Sequence, residues 1–541
     1  MGQISHAAAL SFRLRLPLAV TTTTTTRLRI SSTTTSSSST HHPLTIPYRS
    51  THFTTSPTSA TKATSQLNSF SPPHSLTAVN TTNSVTFSPN SPHLQTSSFS
   101  TTTIDDVGAT TAGTTALQPL DFNDTKASFE TRTTLELIRA FLVFKVSSYP
   151  LFVKNSRALL SLSETVLGKK FTSFLLKQTF FGHFCGGETS QDVISLVDKL
   201  KQNGIGAILD YAAEGGVTDA PASSSAEYED REYENNKNLI LSSIQTGVKT
   251  KKSIVAMKVT ALINPDFLEQ VSTYLNSPAF KALGDENQVE SEDQLTPKGL
   301  PAHLLPEAKK LSQRLHQIAK EASDKQTRVM VDAEQTYYQT AIHHYVTHLQ
   351  QQYNREIPII HNTYQAYLRD SFEKVSSDLT TSLKKNYIFA AKIVRGAYMY
   401  QERERAKQLN LSDPIHPNIA ATHENYDHIV QHILCSLQPT ELMVASHNEN
   451  SISKVTTLLQ TASPEKKDSV LFGQLFGMCD YISFTLGRNH FSVYKYLPYG
   501  PVREVIPYLV RRAEENSDLL ERSQKERALL STEIKRRLFS L

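Results

Sequence analysis

The amino-acid sequence predicts an α/β fold with a closed (β/α)8 barrel, preceded by a helical segment and a disordered leader. Beyond Gly204, eight short and nearly continuous apolar runs alternate with longer helical patterns. Apolar strands separated by helices indicate a parallel sheet covered on both faces, and eight such units are the number that closes a barrel. A doubly wound open sheet is the alternative, although no run is followed by the Gly-x-Gly-x-x-Gly turn of a dinucleotide site.

The predicted elements follow one another in a regular order along the chain. Ser190 is the expected N-cap of a helix over 191–203, which Gly204 ends. The eight predicted strands are 207–210, 254–258, 329–332, 357–360, 391–395, 442–447, 470–474 and 493–496. The helical candidates between the later strands are 333–353, 364–385, 424–436, 449–461 and 479–489. Segments 214–252 and 264–326 are rich in charged residues, and we interpret them as surface inserts.

Composition divides the chain into four predicted regions. Residues 1–104 contain no Asp or Glu and are dominated by Ser and Thr, which predicts a disordered leader with the profile of an organelle presequence. A disordered cytosolic tail is the alternative for this region. We expect a helical arm over 105–200, the barrel over 201–525 and a helical tail over 526–541.

Charge, cysteine content and hydropathy exclude several classes of protein. The chain has 55 Lys and Arg and 51 Asp and Glu; six of the basic residues and none of the acidic ones lie in the leader, which leaves 49 basic residues against 51 acidic ones. That balance does not indicate nucleic-acid binding. Three scattered cysteines indicate neither a disulfide framework nor a zinc site. The longest apolar run, 137–153, is interrupted by Arg139, Lys145 and Pro150; we expect it to pack on the protein, with a membrane surface as the alternative.

Polar residues stand at or just after the carboxyl end of every predicted strand, where a barrel of this kind places its active site. They are Asp210, Lys258, Asp332, Gln365, Arg395, His447 with Asn448, Gln474 and Tyr496. Each has a structural explanation of its own, such as capping the next helix, but together they favour a ligand site. Cationic and amide groups suit an anionic, hydrogen-bonding ligand better than a metal. An aldolase that forms a Schiff base at Lys258 is the competing enzyme reading, and a barrel used as a binding module is the third hypothesis.

A helix predicted over 505–516 carries an unusual polar face. Tyr508, Arg511, Arg512 and Glu515 follow helical spacing on one side, while Val505 and Leu509 belong to another. Two neighbouring guanidinium groups are suited to binding a carboxylate through several charge-assisted hydrogen bonds. A solvated face is the alternative for an isolated pair of arginines.

Several motifs in these regions resemble the proline dehydrogenase family. They are MKVTAL (257–262), VDAE (331–334), NTYQAYL (362–368), KIVRGAY (392–398), ASHN (445–448), FGQLFGM (472–478), YLPYG (496–500) and YLVRRAEEN (508–516). The resemblance implies a distorted TIM-type barrel that binds FAD non-covalently at its strand ends. It implies oxidation of L-proline to Δ1-pyrroline-5-carboxylate by hydride transfer to flavin N5, with electrons passed to a quinone.

The resemblance also implies roles for individual residues. Arg511 and Arg512 would hold the proline carboxylate. Tyr398, Tyr496, Tyr508 and Ile393 would enclose the proline ring, and Lys258 would join Asp332 in a charged network of catalytic residues that includes Tyr496. The positions that match cofactor-binding residues are Gln365, Lys392, Arg395, Gly396, Thr422, His447, Asn448, Gln474 and Glu515. No metal is implied.

The sequence departs from bacterial members of the family at a few positions. Lys392 and Met399 stand where those members carry Arg and Trp, and segment 402–418 does not match their pattern. By the same resemblance, relatives that prefer hydroxyproline carry a smaller residue at the position of Tyr496. The tyrosine in this chain therefore favours proline as the substrate. With the presequence profile, the resemblance predicts an enzyme attached peripherally to the matrix side of the inner mitochondrial membrane.

Overall fold

The structure is a computed structural model. It describes residues 120–149, 155–211, 226–251, 253–284, 289–291, 294–518 and 520–539, all of which belong to one compact unit, Ala109–Leu541. The predicted leader, 1–104, and the first part of the predicted arm lie outside the described residues.

Eight parallel strands close into a barrel, which confirms the predicted fold class. These strands are β1 (Ile205–Tyr211), β2 (Ser253–Met257), β5 (Val329–Val331), β6 (Ile360–Gln365), β7 (Phe389–Val394), β8 (Thr440–Ala445), β9 (Val470–Leu475) and β10 (Ser492–Tyr499). Their order around the barrel is β1-β10-β9-β8-β7-β6-β5-β2. Two further strands, β3 (Val289–Ser291) and β4 (Gln294–Pro297), form a separate antiparallel pair.

Helices surround the barrel and extend beyond both ends of it in the sequence. Before β1 lie α1 (Thr125–Phe129), α2 (Thr134–Ser147), α3 (Ser156–Leu167), α4 (Lys169–Gln178), α5 (Phe180–Phe184) and α6 (Ser190–Lys201). Between β1 and β6 lie α7 (Ala226–Thr250), α8 (Pro265–Leu275), α9 (Pro278–Lys281), α10 (Leu305–Asp324) and α11 (Thr336–Tyr353). The remainder are α12 (Ser371–Lys384), α13 (Met399–Gln408), α14 (Ile419–Leu434), α15 (Glu449–Gln460), α16 (Pro464–Asp468), α17 (Asp480–Arg488), α18 (Val502–Asp518) and α19 (Leu520–Phe539).

The fourth barrel strand differs from its prediction. It runs over Ile360–Gln365 instead of 357–360, and the helix expected from 364 begins only at Ser371. Every residue of this strand is buried, and its polar members find partners inside the protein. His361 Nε2 lies 2.8 Å from Glu441 Oε1, and Thr363 Oγ1 donates to the Val331 carbonyl at 2.6 Å. Polar residues satisfied in this way interrupt the apolar pattern from which a buried strand is predicted.

Segments 214–252 and 264–326 each contain one long helix that belongs to the barrel. The interpretation of these segments as surface inserts is wrong for those two helices. The helices α7 and α10 follow β1 and β2, pack against each other and bury their apolar sides as the first two helices of the barrel. Arg314 of α10 is buried and bonds Glu234 of α7 (2.8 Å) and the Leu262 carbonyl (2.8 Å). The charged residues that suggested an insert therefore include the ion pairs that join these helices. Among the residues that the structure describes in these segments, α8, α9 and the β3–β4 pair remain as elaborations.

The helical arm and the C-terminal tail pack on the same side of the barrel. In α2, Leu137 and Phe144 are fully buried, so this part of the longest apolar run packs on the protein as predicted. In the described part of the chain, none of the helices combines the length and the apolarity that crossing a bilayer requires. The tail helix begins at Leu520 instead of 526, and its Glu526 accepts the backbone N–H groups of Cys479 (2.9 Å) and Asp480 (3.2 Å) at the start of α17.

Buried charges connect this tail to the arm and to the barrel. Asp480 pairs with Lys495 of β10 (2.8 Å) and with Arg132 of the arm. Burial acts to raise the pKa of Asp480, but the charges of Lys495 and Arg132 outweigh it and hold that pKa at about 2. Burial, together with the charge of Asp480, raises the pKa of Glu526 to about 7.

We expect this carboxylate to make stability depend on pH. Because the pKa of Glu526 is higher in the folded protein than in the unfolded chain, the folded state binds the extra proton, and stability falls as pH rises from about 5 to about 8. Glu526→Gln removes this titration. Over that interval, the free energy of unfolding should fall by roughly 2–3 kcal/mol more for the unsubstituted protein than for the variant. Urea unfolding of both proteins at several pH values measures this difference, and a difference independent of pH would contradict it.

Candidate active site

The alternation of side chains along the strands determines which strand-end residues reach the mouth of the barrel. Apolar side chains fill the lower interior, namely Ile208, Ile254, Ala256, Met330, Met443 and Leu471. Because successive side chains on a strand point to opposite faces, residues two or four positions further along face the same interior. Those residues at the carboxyl ends are Asp210, Lys258, Asp332 and His447. The strand-end ring that the sequence predicted is therefore formed in part.

Asp332, Lys392 and Tyr496 form a buried polar group at this mouth. Lys392 pairs with Asp332 Oδ1, and the Tyr496 hydroxyl donates to Asp332 Oδ2 at 2.8 Å. The Lys392 ammonium also lies 5.7 Å from the centroid of the Tyr496 ring. The side chains of Lys392 and Asp332 are 6% and 15% exposed, so their attraction is little screened by water. Three residues that were predicted separately thus act as one unit.

Sequence reasoning missed Glu334, which is buried beside this group. Its carboxylate accepts the backbone N–H of Thr260 (3.1 Å) and the Thr260 hydroxyl (2.5 Å). Burial raises the pKa of Glu334, while the bonds from Thr260 and the nearby charge of Lys258 oppose that rise. The Gln365 amide donates to the Glu334 carbonyl at 2.8 Å. The motif VDAE contains this carboxylate, but nothing in the sequence marks its partner Thr260, which follows another strand.

Tyr398 is the N-cap residue of α13, and it lies within range of the charges at the mouth of the barrel. Burial raises the pKa of Tyr398, and the charges of Lys258 and Arg511 act in the opposite direction. Both cations are therefore close enough to act on this ring. The structure brings Tyr398, Lys258 and Arg511 into one neighbourhood, as their predicted roles require.

The residues on the apolar side of α18 differ from those that the sequence predicted. Tyr508 belongs to an apolar cluster with Val505 and Leu509, where it packs near Phe181 and Phe184 of α5. The predicted separation of Tyr508 from the apolar side is therefore wrong, because the arm covers that part of the helix.

The two arginines of α18 have different surroundings. Arg512 is buried, with its guanidinium carbon 4.8 Å from the centroid of the Tyr508 ring, whereas Arg511 is exposed. The side chain of Glu515 lies outside what the structure describes.

The side chains of two predicted site residues point away from the barrel interior. Lys392 faces the interior, so its neighbour Ile393 faces the helices, where it is fully buried among residues that include Phe389 and Tyr426. Its predicted contact with the substrate ring stays a prediction. Gln474 also faces outward: its amide donates to the Ser446 carbonyl (3.2 Å) and accepts from Ser483 of α17 (3.0 Å). Its predicted contact with the cofactor stays a prediction.

A second group of predicted residues lies on the helix side of β7 and β8. The Arg395 guanidinium contacts His423 Nδ1 (2.8 Å), Ser446 Oγ (2.7 Å) and Ser451 Oγ (2.9 Å). It also covers the ring of Tyr426, with its carbon 4.2 Å from the ring centroid. This contact fixes Arg395 against α14 and α15, apart from Asp332.

Asn448, Thr422 and Gly396 line the same region, whereas His447 belongs to the mouth of the barrel. Asn448 is the N-cap of α15 and accepts the Ser451 N–H at 3.2 Å, while Thr422 is buried on α14. Gly396 has φ of +132°, and a Cβ there would lie 2.4 Å from the Tyr367 ring, so this turn requires glycine. His447 Nε2 accepts the Leu475 N–H at 3.0 Å, so a neutral ring carries its proton on Nδ1.

Comparisons with known proteins show which family the chain belongs to. A family model described as "Proline dehydrogenase" matches residues 193–525. The chain belongs to the proline dehydrogenase family. Proline dehydrogenase 1, mitochondrial, of Drosophila melanogaster is 32% identical over 79% of this chain and 82% of its own length. Hydroxyproline dehydrogenase of Xenopus laevis is 36% identical over 80% of this chain and 93% of its own.

Solved structures support the fold of this proline dehydrogenase family member. Proline utilization A (PutA) from Bdellovibrio bacteriovorus, inactivated by N-propargylglycine, matches with a TM-score of 0.52 and 19% identity. The match covers 73% of this chain and 38% of that PutA chain, so this chain spans about two fifths of it. The predicted family and the predicted class of enzyme, an oxidoreductase acting on proline, are confirmed by family membership. Within the described residues, no group of three or more His, Cys, Asp or Glu is placed to hold a metal ion.

Proposed function

We propose that this chain oxidises L-proline to Δ1-pyrroline-5-carboxylate with a non-covalently bound FAD, at the carboxyl ends of the barrel strands. The observation that carries the proposal is the buried unit of Asp332, Lys392 and Tyr496 at the mouth of the barrel. A cation held in place by a carboxylate, beside an aromatic ring, suits a planar ligand that takes up negative charge when it is reduced.

The donors at this mouth suit a flavin. Lys392 supplies a fixed positive charge, Gln365 supplies an amide and His447 supplies Nδ1 as a donor. When bound, the flavin would accept the hydride that leaves the substrate carbon, and with it the two electrons of the oxidation. A positive charge near its pyrimidine edge stabilises the anionic reduced form, which is the role we assign to Lys392.

We assign Arg395, Gly396, Thr422 and Asn448 to the part of FAD beyond the flavin ring, because they line the ends of β7 and β8 on the helix side. A guanidinium held by several partners, as that of Arg395 is, suits a phosphate oxygen. Glu515 remains a predicted cofactor contact. Gln474 has a different role in this proposal: it ties the end of β8 to α17 and so supports the loop below His447.

The substrate assignment depends on α18 and on the tyrosines near it. Arg511 and Arg512 would bind the proline carboxylate, and Tyr398, Tyr496 and Tyr508 would enclose the ring and exclude water. Lys258 would contribute its charge next to Tyr398 and Glu334. Holding the substrate C–H toward the acceptor is the main catalytic contribution that positioning supplies.

We further propose that the electrons pass to a quinone and that the enzyme works on the matrix side of the inner mitochondrial membrane. Relatives named as mitochondrial in Drosophila melanogaster and Homo sapiens support the compartment. The acid-free leader has the profile that import requires.

The purified protein should show flavin absorbance that L-proline bleaches and a quinone analogue restores. Denaturation should release FAD into the supernatant. A protein without flavin absorbance would contradict the proposal, and borohydride trapping of a carbonyl substrate on Lys258 would favour the aldolase instead. A higher kcat/KM for hydroxyproline than for proline would overturn the substrate assignment.

A further inference from the structure

The hairpin formed by α3 and α4 exposes an unusual amount of apolar side chain. Its exposed residues are Leu159, Leu162, Val166 and Leu167 on α3, and Phe171, Phe174 and Leu175 on α4. Val166 is 69% exposed, Leu162 58% and Phe174 53%. An exposed apolar patch of this kind marks an interaction site more often than an ordinary surface.

The spacing of these residues gives each helix one apolar face. Leu159, Leu162 and Val166 are three and four residues apart, and Phe171, Phe174 and Leu175 follow the same rule. The rings of Phe171 and Phe174 lie side by side, with their centroids 6.3 Å apart.

The polar contact between the two helices lies on the covered side. Thr172 is buried, and its hydroxyl is 2.9 Å from the hydroxyl of Ser163. Beyond each other, these helices contact mainly α5 and α18, both through α4. The hairpin therefore keeps a hydrogen bond inside and presents its apolar faces to the outside, the reverse of an ordinary surface helix.

Charge identifies the kind of partner. Residues 155–178 include four basic residues, Arg157, Lys169, Lys170 and Lys177, against one acidic residue, Glu164. Lys170 and Lys177 stand four residues before and three residues after Phe174, so they lie on its side of the helix, along one edge of the apolar face. Lys177 also pairs with Glu188 but keeps 43% of its side chain exposed. Protein interfaces are depleted in Lys, whereas lysines beside an apolar face with Phe and Leu are typical of helices that lie in a membrane surface.

We propose that the α3–α4 hairpin is the surface through which this protein docks on a bilayer that contains anionic phospholipids. The apolar face enters the boundary between headgroups and acyl chains, and the lysines contact the lipid phosphates. Because α4 contacts α18, the docked surface adjoins the helix that carries Arg511 and Arg512. This hairpin would be the site of the proposed membrane attachment. Its role depends on the fold and not on the reaction that the enzyme catalyses.

Vesicle flotation of the full chain tests the proposal. Neutral phosphatidylcholine vesicles are compared with vesicles in which about one lipid in five is anionic phosphatidylglycerol. The test variants are Leu162→Gln with Phe174→Gln, and Lys169→Glu with Lys170→Glu. A matched control, Leu383→Gln with Leu437→Gln, removes two leucines that are exposed elsewhere on the molecule. We expect both test variants to reduce partition into anionic vesicles by on the order of tenfold or more, and the control to change it little.

Several outcomes would overturn the inference. Unchanged vesicle binding in both test variants would do so, as would equal binding to neutral and anionic vesicles that the lysine variant leaves intact. If the apolar variant turns a dimer into a monomer on size-exclusion chromatography while lipid binding stays unchanged, the hairpin is a subunit interface. Circular dichroism and thermal unfolding verify that the variants are folded. Proline turnover with a soluble dye acceptor is scored separately, so its absence contradicts the proposed function and leaves the lipid result standing.

Discussion

Replacing Asp332 by alanine should destabilise the protein by about 3 kcal/mol or more and remove most of its proline oxidation. The substitution leaves the Lys392 ammonium, whose side chain is 6% exposed, without its carboxylate. It also removes the acceptor of the Tyr496 hydroxyl. A buried charge that loses its partner keeps its desolvation cost, which is why removing one member of such a pair costs more than the pair itself contributes. Urea unfolding and steady-state proline oxidation measure the two effects.

Two further variants distinguish this electrostatic account from a general loss of packing. Lys392→Met in the Asp332→Ala background removes the unpaired charge, so the double variant should regain much of the lost stability without regaining activity. Asp332→Asn keeps the shape and an acceptor for Tyr496, and it should be less destabilised than Asp332→Ala. Equal stability of the single and double variants would show that charge is not the cause.

The barrel could be predicted from the sequence because its signal is repeated eight times. Buried parallel strands are apolar on both faces, so each of them produces a short run that is visible without any knowledge of its neighbours. The signal failed at β6, where His361 and Thr363 are buried with partners on other strands. It also failed for α7 and α10, whose charged residues suggested exposure although Arg314 is buried between the two helices. Both failures depend on contacts between residues far apart in the chain.

The candidate site shows a different limit. The carboxyl ends of the strands mark the site, but a position at a strand end does not by itself show which face of the strand a side chain occupies. Once Lys392 is placed in the interior, the position of Ile393 on the outside follows from the period of two along a strand. The same argument separates Gln474 from Gly473 on β9. Side-chain alternation therefore indicates, from the sequence alone, which face of its strand each of these residues occupies.

Glu334 and Glu526 could not be assigned by such an argument. Glu334 acts on Thr260, which lies in the loop after another strand, and Glu526 accepts N–H groups from a helix that ends well before it in the sequence. Each carboxylate fixes a loop at the mouth of the barrel: Glu334 fixes the one that contains Lys258, and Glu526 the one that follows β9. The groups that would contact ligands are therefore held by residues that no strand-end pattern includes.

Replacing Arg512 by methionine should raise the KM for proline by about tenfold to a hundredfold while FAD remains bound. Each charge-assisted bond to the substrate carboxylate contributes about 1.5–3 kcal/mol, and 1.4 kcal/mol corresponds to a factor of ten. Methionine keeps much of the length of the buried side chain, so the loss of packing beside Tyr508 should be small. Arg511→Met should act in the same direction, from the exposed side of the helix.

The matched control for these variants is Arg503→Met, because Arg503 lies on the same helix, is exposed and has no predicted contact with substrate. Its KM should stay near that of the unsubstituted protein. Arg512→Lys keeps the charge but not the forked geometry of the guanidinium, and it should give an intermediate KM. Because these arginines would bind the substrate carboxylate and not the cofactor, the flavin absorbance per protein should stay constant across the series. Near-normal KM in both Arg511→Met and Arg512→Met would assign the carboxylate to other cations at the mouth, of which Lys258, close to Tyr398, is the first to test.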